Sequence, residues 1–142
     1  LGLFALFLAG TFAIPALLLS VGSPDLGAIF AGYLGVFLLG AELLALGVLA
    51  SAITTDQIVA FIIAAVPGAA LVLLGDFRVK RVLDGLTEGQ SLGSDLAALV
   101  SPTPAFEEFL RGVVGLPALL HLLAFTVFFL WTATRCLDRK GT

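Results

Sequence analysis

Four runs of about twenty apolar residues, almost free of charge, constrain this chain more than any other feature. A helix that crosses a bilayer needs about 20 such residues, because about 30 Å of hydrocarbon is spanned at about 1.5 Å per residue. The runs cover residues 1–22, 26–53, 58–75 and 113–134. The first and third carry no ionisable side chain, the second carries one acid, Glu42, and the fourth carries His121. Charged residues make up 12% of the chain, where a soluble domain has about 25%. That is too little polarity to cover a globule, so the chain reads as an all-α membrane protein, with four transmembrane helices and short interfacial amphipathic helices. A formal net charge of −3 with no basic stripe excludes a nucleic-acid binder. The single cysteine, Cys136, excludes an internal disulfide and a multi-thiolate metal site. The first residue is Leu1 and there is no Met, so we expect further sequence upstream. A signal peptide is disfavoured for the first run, which has no basic region before it and no small-residue cleavage site after it.

The connections are short except for one. Gly22-Ser23-Pro24-Asp25 forms a turn in which Pro24 stops one helix and Asp25 caps the next. Thr54-Thr55-Asp56-Gln57 leaves room only for a tight turn. Residues 76–112 hold six acids and four bases. Within them Val79, Val82, Leu83 and Leu86 recur at i, i+3, i+4 and i+7, opposite Arg78, Lys80, Arg81 and Asp84, which predicts an amphipathic helix at the interface. Glycines 85, 89 and 93 mark loose connections around a turn capped by Ser94. Thr103 suits an N-cap and Pro104 the first helical position of a further helix, with Phe106, Phe109, Leu110 and Val113 on one face that lies flat on the membrane. Four spans place both ends on one side, together with the 54–57 turn. Three bases in the tail (Arg135, Arg139, Lys140) against four in the long connection nearly balance, so charge counting alone leaves the orientation open.

Glu42 is the sharpest candidate, because a carboxyl near the middle of a span is costly and marks a functional or pairing site. It shares a helical face with Ala31, Gly35, Leu46 and Leu49, and the small residues would admit a partner helix closely enough to hydrogen-bond the acid. Two roles fit: a substrate- or proton-responsive carboxyl, and a satisfied interhelical contact, of which the contact is favoured. His121 has no second histidine for a haem site and is expected to make a hydrogen bond near the membrane surface. Cys136 is expected to sit at the interface. Pro15 and Pro67-Gly68 interrupt two spans and are candidate hinges. No phosphate loop, metal-ligand cluster or catalytic triad is present, so the chain is not expected to be an enzyme and any energy source must be a partner's.

Two blocks carry a family resemblance. The first runs from Gly32-Tyr33-Leu34-Gly35 through Gly47-Val48-Leu49-Ala50-Ser51-Ala52-Ile53-Thr54-Thr55-Asp56-Gln57-Ile58-Val59-Ala60-Phe61. The second is Phe106-Glu107-Glu108-Phe109-Leu110-Arg111-Gly112-Val113-Val114, followed by the aromatic span and the tail Thr134-Arg135-Cys136-Leu137-Asp138-Arg139-Lys140. Together they resemble type-2 ABC transporter permeases, particularly the gliding-motility-type branch. The resemblance implies a six-span permease of the bacterial cytoplasmic (inner) membrane with both termini cytoplasmic, of which this chain is the last four spans. The turn Thr54, Thr55, Asp56 and Gln57 would then be cytoplasmic and near the ATPase, and residues 76–112 extracytoplasmic, where an accessory protein could dock. Implied partners are an ATP-binding cassette subunit, which carries the ATP and Mg, and a second permease copy, identical or not. No cofactor is expected on this chain itself. Two positions depart from the family pattern: Glu42 stands where a small or apolar residue is usual, and Thr55 or Asp56 replaces a basic residue. The leading expectation is thus an exporter-type permease subunit. The alternatives are a non-transporting membrane anchor or assembly subunit and, last, a membrane-embedded enzyme, for which one acid and one His in different spans make a thin site.

Overall fold

The computed structural model describes residues 1–86 and 92–140. Among these residues the chain is all-α, with helices α1 (Gly2–Thr11), α2 (Ala13–Val21), α3 (Leu26–Ile53), α4 (Gln57–Leu74), α5 (Phe77–Leu86), α6 (Leu92–Val100), α7 (Thr103–Leu110) and α8 (Leu116–Lys140). Four stretches are long and apolar enough to cross a membrane: Gly2–Val21, Leu26–Ile53, Gln57–Leu74 and Leu116–Asp138. The connection expected around Gly89 and the side chains of Leu86, Arg139 and Lys140 lie outside what is described.

The polar residues between spans set the helix ends. Asp25 caps α3, its Oδ1 accepting from the amides of Gly27 at 2.9 Å and Ala28 at 3.4 Å. Asp56 does the same for α4, accepting from Ile58 at 2.8 Å and Val59 at 3.3 Å, while Thr54 Oγ1 accepts from the Asp56 amide at 3.2 Å. Each cap satisfies amides that have no partner inside the helix, a strong requirement beside a bilayer. The last span begins three residues later than its apolar run suggested, at Leu116, because Gly112 takes a left-handed turn at φ 77° between α7 and α8.

Helix α3 is the centre of the bundle and packs against α8, α4, α7 and α1. Its enclosed face is Ala31, Gly35, Leu38, Ala41, Glu42, Ala45, Leu46 and Ala50, with Leu49 half-buried, so the face expected around Glu42 is the packed one. The small residues let neighbours approach closely. At Gly35 an added Cβ would stand 2.6 Å from Phe109 Cβ, so only glycine admits that ring. Two clusters lie along the α3–α8 seam. One joins Leu38, Ala105, Phe109, Ala118 and Leu122; the other joins Ala45, Leu46 and Phe129, with Leu49, Leu71 and Phe125 packed against it. Since residue numbers rise together in both clusters, α3 and α8 run in the same direction.

The segment between α4 and α8 folds as helices, and several of its details differ from expectation. Thr103 is not the cap of α7 but its first residue. Its amide donates to Ser101 Oγ at 3.2 Å, and its hydroxyl donates to the Val72 carbonyl at 2.9 Å, tying α7 to the end of α4. Ser94 lies inside α6, which starts two residues earlier, and its amide donates to Asp84 Oδ1 at 3.3 Å. The apolar residues expected on one face of α7 divide between the bundle and the outside. Phe109 is fully buried in the bundle, whereas Leu110 and Val113 are exposed, because the ring inserts at Gly35 and turns its neighbours outward.

Candidate functional site

Glu42 is fully enclosed, and neither carboxyl oxygen has a hydrogen-bond partner among the described residues. It follows Leu38 by one turn and precedes Leu46 by one turn, which places the carboxyl between the two apolar clusters. Among the described residues, therefore, the expected satisfied interhelical contact is absent. The small residue at Gly35, two turns away on the same face, admits the rings of Phe109 and Phe106, which offer no donor. His121 Nε2 is also buried with no partner among the described residues, and its ring packs on Phe125 with centroids 4.8 Å apart. Glu42 and His121 form neither a hydrogen bond nor an ion pair with each other.

The turn of Thr54, Thr55 and Asp56 is exposed or half-exposed, and Gln57 is the first residue of α4. Parallel α3 and α8 bring this turn to the same end of the bundle as the tail, where Arg135 lies over the Trp131 ring, 5.2 Å from its centroid, and Cys136 is half-buried and free. An aromatic and a cation at this level suit a membrane–water boundary. The ion pair of Arg111 with Glu107, at 3.9 Å, is exposed and contributes little.

The two candidate hinges behave differently. Pro67 sits inside an uninterrupted α4, with Gly68 buried beside Leu46 and Leu43. The first span, in contrast, is divided into α1 and α2 at Phe12, three residues before Pro15. The Thr11 carbonyl, which would accept from the residue-15 amide in a continuous helix, accepts instead from the Tyr33 hydroxyl at 2.9 Å. Sequence reasoning marked Pro15 but missed Thr11 and Tyr33. The signal was there: a hydroxyl residue four before a proline, and the one tyrosine in the chain, set in a span. Among the described residues no three His, Cys, Asp or Glu side chains gather as a metal site would require. Comparisons with protein-family models, with curated proteins and with solved structures find no match for this chain.

Proposed function

We propose that this chain is the membrane-spanning permease subunit of an exporter-type ABC transporter, forming part of the translocation path and driven by a separate ATP-binding subunit. The observation that carries the reading is that the two blocks resembling type-2 permeases touch. Gly35 of the first receives Phe109 and Phe106 of the second, and Gly112 of the second lies against Ala28 just ahead of the first. A resemblance split over distant stretches is supported when those stretches form one packed unit. The grouping of the 54–56 turn with the C-terminal end of α8 fits a cytoplasmic side that meets the ATPase, with α5–α7 on the opposite, extracytoplasmic side of a bacterial inner membrane. In this reading ATP and Mg belong to the partner, and a second permease copy completes the path.

Purification of the tagged protein from its native membrane tests the proposal. An ATP-binding subunit is expected to copurify, and a Thr55→Cys variant in a Cys136→Ser background is expected to cross-link to it. Absence of both an ATP-binding protein and the cross-link would overturn the reading.

A further inference from the structure

The first span is held to the bundle at few points, and they are unevenly placed. On α1, Phe4 stacks on Phe37 with centroids 6.4 Å apart and covers Gly40. At the break, Phe12 packs on Tyr33 at 5.7 Å and on Phe30 at 6.3 Å. Beyond it, Pro15 is the single buried residue of α2. An open groove of about 380 Å³ runs past the break, lined by Leu8 and Thr11 of α1, by Ile14 and Leu18 of α2 and by Ile29 of α3, and along α2 little else is packed. Helix α2 thus has space beside it and little packing to fix it.

The polar contact at the break is built around a missing proton. Pro15 has no N–H, and an unpaired carbonyl in hydrocarbon is costly. Thr11 Oγ1 donates to the Leu8 carbonyl at 2.7 Å, so it cannot also serve its own carbonyl, and it remains an acceptor 3.1 Å from the Tyr33 hydroxyl. Tyr33 is therefore the donor on which the free Thr11 carbonyl depends. We propose that Phe12 is a hinge in the first span and that the Tyr33 hydroxyl is its latch: while the bond is made, α2 is held at one angle, and when it is broken α2 swings over the groove as α1 stays seated on Phe37 and Gly40. The inference does not depend on the permease reading.

Distances between paired spin labels, measured by double electron–electron resonance on the whole protein in lipid nanodiscs, test it. One label pair, Val21→Cys with Leu44→Cys in a Cys136→Ser background, reports α2 against α3; a second, Leu3→Cys with Leu44→Cys, reports α1 against α3. All three labelled positions are solvent-accessible in the isolated chain. Tyr33→Phe keeps the ring and removes the donor. Interhelical hydrogen bonds of this kind shift a two-state balance about threefold to twentyfold, so the α2 distribution is expected to broaden or gain a second population while the α1 distribution stays narrow. Adding Pro15→Ala to Tyr33→Phe supplies the missing amide and is expected to narrow the α2 distribution again. The latch is refuted if Tyr33→Phe leaves the α2 distribution unchanged, if α1 loosens equally, or if Pro15→Ala fails to restore order.

Discussion

Replacing Glu42 by Leu is expected to stabilise the protein. The side chain is fully buried, both oxygens lack partners among the described residues, and apolar clusters stand one turn to either side. Burying such a group without its hydrogen bonds costs about 1–3 kcal/mol in proteins, and leucine of similar size removes that cost while adding contacts to the seam. The denatured chain in a bilayer or micelle also shelters its polar groups poorly, which reduces the difference, so about 1–2 kcal/mol is the expected gain. Reversible unfolding in mixed SDS micelles measures it, with Leu38→Ala as the reference for simple loss of packing, at a cost of about 2–5 kcal/mol. Glu42→Gln, which keeps an unsatisfied polar head, should fall within about 1 kcal/mol of the native protein. A loss of 1 kcal/mol or more in Glu42→Leu would refute the reasoning, since it would mean that the carboxyl has a partner it needs. If Glu42→Leu is stabilised yet fails the transport proposed for this chain, the acid is held at a cost for function, as intramembrane carboxyls commonly are.

Three further substitutions probe the frame around this site. Gly35→Ala should destabilise by about 1–3 kcal/mol in the same assay, because its Cβ would press on Phe109 Cβ; the double variant Gly35→Ala with Phe109→Leu should recover part of the loss. Gly112→Ala should cost about 1–2 kcal/mol, since φ is 77° and the new methyl would meet Ala28 as well. Asp56→Ala should lower stability by about 0.5–2 kcal/mol through loss of the α4 cap, and Asp56→Ser should restore most of it.

The spans were legible because their signal is cumulative: twenty apolar residues outweigh any one misleading residue. The Asp25 cap was legible for a different reason, a short polar residue directly after a proline and before an apolar run. The errors fell where side chains had two options. Thr103 has the chemistry of a cap, but the Val72 carbonyl at the end of α4 lies within reach of its hydroxyl and takes it. Phe109, Leu110 and Val113 are equally apolar, and only the approach of α7 to Gly35 decides which of them is buried. Glu42 is conspicuous in the sequence by its cost, but whether a donor reaches it depends on side chains brought in from helices far apart in sequence. The Tyr33–Thr11 bond likewise joins residues 22 apart and has no local pattern.

Packing along the bundle is graded, and the gradient bears on where motion is easiest. Helix α3 is the most enclosed of the four spans and the first span the least. Local opening follows the number of buried apolar contacts, so the first span and not the α3–α8 seam is the part that moves at least cost. Within that span, α1 has an aromatic stack on α3, whereas α2 carries no aromatic residue and borders the groove. The Thr11–Tyr33 bond lies at the border between the two, where one hydrogen bond has leverage over a whole half-helix. A change in α2 would be felt next at Leu110, which lines the same groove and follows the fully buried Phe109 in α7. The groove thus borders both the loosest span and the residue next to Phe109, which meets α3 at Gly35 on the face that carries Glu42.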